Sequence, residues 1–128
     1  MSKIIATESQ IQAAFITWTR HAEARFPALK LAFSVPNGAW TKNYAMAAKL
    51  KREGMRPGVP DWMLPVVTWR HKGLNVKWHG LAIEFKRPGA KATGQQAAYH
   101  ILLRDQGWQV EVCNDWQVAR QIAEKYLS

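Results

Sequence analysis

The strongest constraint on the fold comes from residues 80–86, where apolar and reactive side chains alternate. Period-two alternation is typical of a β-strand, because successive side chains point to opposite faces. One face carries Leu81, Ile83 and Phe85, and the other carries Ala82, Glu84 and Lys86. A carboxylate and an ammonium group are therefore predicted to project from the same face of this strand.

A second carboxylate, Asp61, follows Pro60 and is separated from Glu84 by twenty-two residues. If Asp61 begins one strand and Glu84 lies towards the end of an antiparallel neighbour, the two carboxylates are close together. Such a pair could hold a hard cation, which activates water and polarises a phosphodiester. Lys86 would then orient that water or stabilise transition-state charge. Taken alone, the same residues also fit a surface ion pair beside a turn.

Further motifs surround these residues in a fixed order. Residues 53–65 read EGMRPGVPDWMLP, residues 93–99 read TGQQAAY, residues 107–113 read GWQVEVC, and the upstream residues 35–38 read VPNG. This order resembles the virus-type replication-repair nuclease domain, the VRR-NUC family of the PD-(D/E)XK superfamily, over roughly residues 5–127. The combination of motifs is specific, although no single motif is.

The resemblance implies a Mg²⁺ or Mn²⁺ site with Asp61, Glu84 and the backbone carbonyl of Phe85 as metal ligands, and Lys86 as a catalytic residue. Related resolvase-type nucleases often add a glutamate from the first helix to the metal site, for which Glu8 is the matching candidate ligand. Helical periodicity places Glu8 in the apolar stripe of its helix, so its carboxylate is predicted to face inward. The alternative is a first-turn glutamate favoured by the helix dipole.

Gln96 matches a glutamine of the family pattern that is followed three residues later by an aromatic residue, here Tyr99. An amide can bond both a metal-bound water and a phosphate oxygen, because it donates and accepts. The alternative for Gln96 is a capping box with Thr93. The neighbouring Gln95 is a second candidate for the same position.

Charge favours a polyanionic partner. Eighteen Lys and Arg residues against nine Asp and Glu residues give a net charge of +9, and neutralisation of phosphates dominates affinity for nucleic acids. Cations that flank the two acids are together predicted to bind the DNA backbone, although each one alone is better explained as a solvated surface charge. They are Lys42, Lys49, Arg52, Arg56, Arg87 and Lys91. Residues 69–79 mix cations with aromatics, which suits phosphates and exposed bases or a twisted hairpin with packing tryptophans.

The cysteine and histidine content and the apolar runs exclude several kinds of site. Cys113 is the only cysteine, which excludes an internal disulfide and a multi-cysteine zinc site, and it is predicted to lie in the core. The four histidines lack metal-ligand spacing, so no catalytic histidine is predicted. No apolar run is long enough to span a membrane. The first residues lack a signal-peptide core, which favours the reducing cytoplasm of a bacterial or phage-infected cell.

Local patterns predict one domain over residues 1–128 with the element order α-β-α-β-β-α-β-α. Helices are predicted from the Thr7 capping box to before residue 26, over 42–53, from the Thr93 capping box to 107, and from a cap at Asn114 or Asp115 through 126. Strands are predicted over 31–35, 62–69, 81–87 and 109–113, with a polar connection over 70–80. This order is compatible with a restriction-endonuclease-like α/β core, a central mixed sheet flanked by helices on both faces. The strand order itself is implied by the resemblance.

The sequence therefore predicts a Mg²⁺- or Mn²⁺-dependent endonuclease that hydrolyses DNA phosphodiester bonds. The resemblance implies a structure-selective homodimer that acts on branched DNA such as four-way (Holliday) junctions. One alternative is a nicking or restriction-type endonuclease with sequence preference. Another is a non-catalytic DNA-binding module, which the clustered acids disfavour because binding alone needs cations.

Overall fold

A computed structural model of the chain describes residues 5–36 and 43–128. The helices in these ranges are α1 (Glu8–Ala22), α2 (Tyr44–Arg52), α3 (Gly94–Asp105) and α4 (Trp116–Leu127), with short 3-10 helices at Pro27–Leu31 and His71–Gly73. The strands are β1 (Phe33–Ser34), β2 (Trp62–Leu64), β3 (Thr68–Arg70), β4 (Asn75–Trp78), β5 (Gly80–Phe85) and β6 (Trp108–Cys113). None of the helices in the described part of the chain is long and apolar enough to cross a membrane.

The main sheet has the strand order β1-β2-β5-β6. β1 pairs with β2 and β2 with β5 in antiparallel fashion, whereas β5 and β6 are parallel. Helix α3 makes the crossover between the two parallel strands, as a parallel pair requires. The predicted mixed α/β architecture with a mixed central sheet is confirmed.

The core lies on the face of the sheet that packs against α1 and α4. Leu81, Ile83 and Phe85 all point into this core, as the alternation along the strand predicts. The Phe15 ring from α1 meets the Trp62 ring edge-on at 4.9 Å and the Phe85 ring at 5.3 Å. Burial of each such side chain contributes about 1.5–3 kcal/mol, so this layer fixes the positions of β2 and β5. Cys113 is buried in the same core, as predicted.

Three helices begin directly after capping residues that the sequence predicts. Thr7 and Thr93 each form a full capping box with the glutamine three residues later, at the starts of α1 and α3. Asp115, rather than Asn114, caps α4. Asn43 caps α2, and the predicted start of that helix at Lys42 lies outside the described residues, as do Asn37 and Gly38 of the VPNG segment.

The predicted strand over 31–35 is wrong in its length. Pro27 instead begins a 3-10 helix that extends to Leu31, with Leu29 buried beneath it. The Ala32 N–H then bonds back to the Leu29 carbonyl at 3.1 Å, which leaves two residues to pair with β2.

The predicted strand over 62–69 is also wrong, because it is two separate strands. β2 ends before Pro65, which has no N–H to continue a ladder, and the Val66 N–H turns back to the Leu64 carbonyl at 2.9 Å. β3 then pairs with β4 in a second, two-stranded sheet. The polar connection predicted over 70–80 is therefore the tip and return strand of a hairpin.

The loop before Asp61 packs directly on the first turn of α3. Gly58 has a φ of +85°, and a Cβ at this position would lie 2.5 Å from the Gln95 carbonyl oxygen and 2.8 Å from its carbonyl carbon. Both contacts are with backbone atoms, which cannot move aside as a flexible side chain would. This close approach sets the position of Asp61 relative to α3.

We predict that Gly58→Ala destabilises the protein by about 2–5 kcal/mol, because backbone strain at positive φ adds to a steric clash. Gly89→Ala is the matched control, since Gly89 has a φ of +87° and a methyl group added there would have nothing within 4 Å. Urea unfolding of both variants measures the difference. Equal losses of stability would show that Gly58 is needed for its φ alone, not for contact with α3.

Candidate active site

The pairing of β2 with β5 brings Asp61 and Glu84 together. Trp62 pairs with Ile83 in the antiparallel register, so the residue before Trp62 faces the residue after Ile83. Asp61 Oδ2 accepts a 2.7 Å hydrogen bond from the Phe85 N–H, and its backbone carbonyl accepts one from the Val35 N–H at 2.8 Å. Asp61 is thus held from both sides, by β5 through its side chain and by the end of β1 through its backbone.

Glu84 is a buried acid with only 2% of its surface exposed. Its pKa is raised to about 9, chiefly by burial and then by the hydrogen bond and the negative charge of Asp61. Lys86 acts in the opposite direction and lowers the pKa of Glu84, while the charge of Glu8 raises it. These four groups are therefore electrostatic neighbours, and the carboxylate form of Glu84 lacks sufficient positive charge around it.

Lys86 lies just beyond the end of β5. Its backbone N–H donates to the Cys113 carbonyl at 2.9 Å, so the pairing with β6 continues for one residue past the strand. Lys86 is buried, as are Asp61 and Glu84. A buried ammonium beside two buried acids is a rare arrangement for a residue type that is usually solvated.

His100 belongs to this site, although the sequence predicts no catalytic or metal-binding histidine. It is the buried residue of α3, 2% exposed, and its Nε2 lies 3.6 Å from Glu84 Oε1. Burial lowers the pKa of His100, with help from the positive charges of Arg104 and Lys86. The neutral ring is therefore favoured at pH 7, and the contact is too long for a hydrogen bond.

The signal for His100 is its spacing along α3. Gln96, His100 and Arg104 recur every four residues and so lie on one face of the helix. The face of a helix that packs on a sheet is normally apolar, so a row of polar residues on that face is unusual. Such a row indicates that the sheet itself presents polar groups there, which in this chain are the acids of the site.

The other two predicted site residues have more peripheral positions. Gln96 Oε1 accepts a 2.8 Å hydrogen bond from the Thr93 N–H as part of the capping box. The side-chain NH₂ of Gln96 takes no part in this bond and can donate to another group. Glu8 is exposed at the start of α1, which corrects the prediction that it faces inward. Its charge nevertheless acts on Glu84, so Glu8 lies at the rim of the site.

The predicted DNA-binding cations are exposed wherever the structure describes them. They are Lys49 and Arg52 on α2, Arg56 in the loop that leads to Asp61, and Arg87 and Lys91 in the loop that follows Lys86. Lys49 lies 3.9 Å from Glu53, a weak exposed pair. Lys42 lies outside the described residues.

The donor set fits a hard cation, although no group of three His, Cys, Asp or Glu side chains encloses a metal position within residues 5–36 and 43–128. Glu84 Oε1 is buried and has no hydrogen-bond partner among the described residues. The Phe85 N–H faces Asp61, and the carbonyl of the same strand residue points to the same side. Two carboxylates and a carbonyl offer oxygen ligands, and a cation held by them would give the unpaired Glu84 oxygen a partner.

Comparison with known proteins identifies the family of the chain. The family model of the VRR-NUC domain matches residues 3–116, and the chain therefore belongs to the VRR-NUC family of nuclease domains. A solved structure described as a VRR_NUC domain protein superposes with a TM-score of 0.75 and covers 96% of this chain and 89% of its own. At 23% sequence identity, that likeness concerns the fold alone. Among curated proteins, no matching relative was found.

We predict that Glu84→Gln stabilises the protein at pH 8 in the presence of EDTA. The folded-state pKa of Glu84 is raised from 4.5 to about 9, so its contribution to stability is fully present below pH 4.5 and is lost as the pH rises towards 9. Glutamine has no charge to bury. The melting temperature of the variant should exceed that of the wild type by several degrees at pH 8 and by less at pH 5.

Glu53→Gln, at an exposed position that follows α2, is the control and should leave the pH profile of the melting temperature unchanged. Added Mg²⁺ should narrow the gap between wild type and Glu84→Gln, because a bound cation favours the carboxylate. If the melting temperatures of wild type and Glu84→Gln change with pH in parallel, the pKa of Glu84 is not raised in the folded protein.

Proposed function

We propose that this chain is a Mg²⁺- or Mn²⁺-dependent endonuclease that hydrolyses phosphodiester bonds in DNA. The observation that carries the proposal is the pair of buried acids, Asp61 and Glu84, held against each other with buried Lys86 beside them. Membership of a nuclease family supports a hydrolytic role. A purely DNA-binding module is disfavoured, because binding to phosphates needs cations and has no use for two clustered, buried acids.

Asp61, Glu84 and the Phe85 carbonyl would hold the cation. When bound, Mg²⁺ or Mn²⁺ polarises the scissile phosphate and lowers the pKa of a water molecule. Lys86 stabilises the negative charge that develops on the phosphate oxygens or orients the attacking water. His100, packed against Glu84, limits the positions that this carboxylate can adopt.

Two residues at the rim complete the proposed site. The Gln96 amide NH₂ is available to donate to a phosphate oxygen or to a metal-bound water, while its oxygen serves the helix cap. Glu8 would help to orient water at the site by accepting a hydrogen bond, as its exposed position and its effect on Glu84 allow. Neither residue is proposed to be essential in the way that the two buried acids are.

The exposed cations define the proposed path of the DNA backbone. Arg56 precedes Asp61 along the chain, and Arg87 and Lys91 follow Lys86, so both loops at the site carry positive charge. Lys49 and Arg52 extend this charge along α2. We include Lys42 in the same path from its sequence position.

We further propose that the active form is a homodimer that selects branched DNA such as four-way junctions. A chain of 14.6 kDa has too little surface to enclose a branch, whereas an isologous dimer presents two equivalent sites to two strands. A nicking or restriction-type endonuclease is the alternative. It is less favoured because no zinc finger or recognition-helix motif in the sequence would read base edges.

We predict that Asp61→Asn, Glu84→Gln and Lys86→Ala each reduce cleavage by at least about 10²–10³-fold, since each removes a metal ligand or the stabilising charge. Glu8→Gln should reduce the rate without abolishing it. The measurement is cleavage of labelled DNA in Mg²⁺ or Mn²⁺, with folding checked by circular dichroism. Arg20→Ala, which changes an exposed cation on α1 outside the proposed path, should cleave as the wild type does. Wild-type rates in folded Asp61→Asn or Glu84→Gln would refute the site.

The substrate preference is tested with linear duplex, flap, fork and four-way junction DNA of the same length. We predict symmetric cuts near the branch point of junctions, slow cutting of linear duplex, and a dimer by light scattering. Binding in Ca²⁺ should weaken steeply between about 50 and 200 mM salt, because each neutralised phosphate releases counterions. Equal cutting of duplex and junction by a monomer would favour the nicking-type alternative.

A further inference from the structure

A cleft of about 740 Å³ lies between the β3–β4 hairpin, β6 and α4. Three tryptophans and three cations contribute to its walls, namely Trp69, Trp78, Trp108, Lys77, Arg104 and Lys125. β5 and β6 are parallel, with Trp108 opposite Gly80 at their starts and Glu84 four residues further along β5. The cleft contacts β6, the edge strand of the main sheet, from Trp108 to Glu111, and its lining includes neither Asp61, Glu84 nor Lys86. It is therefore a separate feature from the catalytic site.

The aromatic walls of the cleft are partly fixed and partly open. The Trp108 ring packs directly on the backbone of Gly80, where a Cβ would lie 2.5 Å from the ring carbons. This close packing fixes the position of the ring. Trp69, on β3, is 58% exposed and offers its ring to solvent. A rigid ring and an accessible ring in one concave site resemble the stacking surfaces on which unpaired bases bind.

The charge of the cleft favours an anion. Lys77 and Lys125 carry two of its positive charges, and Arg104 is oriented by a 2.9 Å hydrogen bond from its Nη2 to the Val110 carbonyl. Glu111 is the single acidic side chain among the lining residues. Three cationic side chains against one acidic side chain therefore give the lining side chains a net positive charge around the aromatic rings.

We propose that this cleft binds an unstacked nucleotide of a single-stranded DNA segment, with the base against the tryptophans and the phosphate near Lys77 and Lys125. The proposal rests on the proposed function in taking DNA as the substrate. The volume is in the range of small-molecule sites and cannot admit a duplex, so a base must leave its helical stack to enter. A DNA with an unpaired or distorted segment near a branch satisfies this condition, and a continuous duplex does not.

The test measures binding without cleavage. Fluorescence anisotropy of a labelled eight-residue oligothymidylate, in EDTA, gives the affinity of wild type and variants. Trp69→Ala should weaken binding by about 5- to 100-fold, which corresponds to the loss of one stacking interaction, and Trp69→Phe should retain most of the affinity. Ile101→Ala is the matched control, because Ile101 is also 58% exposed but lies on α3 outside the cleft.

Lys77→Ala provides a second, independent measurement. Removal of one phosphate contact should reduce the slope of log affinity against log salt by about 0.7, whereas Trp69→Ala should leave that slope unchanged. Lys30→Ala, an exposed lysine outside the cleft, is the control. Identical slopes for Lys77→Ala and Lys30→Ala would overturn the assignment of the phosphate position.

The remaining outcomes separate this proposal from the nuclease itself. If Trp69→Ala binds the oligonucleotide as tightly as Ile101→Ala does, the cleft is not a nucleotide site, whatever the cleavage activity. If Trp69→Ala instead alters self-association by light scattering and leaves affinity intact, the cleft is an interface between copies and the proposal is wrong. Oligonucleotide binding that depends on Trp69 in a protein that cuts no DNA would refute the proposed function while it supports the cleft.

Discussion

The antiparallel pairing of β2 with β5 is the interaction on which the site depends. Its register places Asp61 opposite Glu84, and the Phe85 N–H completes the arrangement by donating to Asp61 at 2.7 Å. The same two strands bury Trp62 and Phe85 against Phe15 of α1. A slip of one residue would move the acids apart and also turn the apolar side chains out of the core. The hydrophobic core therefore enforces the geometry of the polar site.

The two faces of β5 have opposite chemical character. One face is apolar and packs under α1 and α4, whereas the other carries Glu84 and continues to Lys86. The second face is covered by α3, which contributes His100 instead of an apolar residue. Buried acids reduce the stability of the fold in the absence of a cation. Glu84, Lys86 and His100 therefore occupy buried positions at which apolar residues would give a more stable fold.

Much of this arrangement could be predicted from local sequence signals. The capping boxes at Thr7 and Thr93 mark helix starts by side-chain chemistry, and the alternation along β5 assigns each side chain to a face. His100 could not be found by the same means, because a helix face is normally assigned from its apolar residues. The break between β2 and β3 is hard to predict because strand-forming residues continue on both sides of Pro65. The 3-10 helix before β1 depends on burial of Leu29, a tertiary contact.

The position of the β3–β4 hairpin has a consequence for the order of folding. Sixteen residues lie between Leu64 and Leu81, which close the β2–β5 ladder, and the hairpin is nested among them with Thr68 opposite Trp78. A hairpin forms in about 1–10 µs, and once formed it leaves about five of those residues to be ordered. The shorter loop lowers the entropy cost of bringing β2 to β5 by about 1 kcal/mol. The hairpin is not part of the main sheet, but it thereby favours the pairing of β2 with β5 that brings Asp61 close to Glu84.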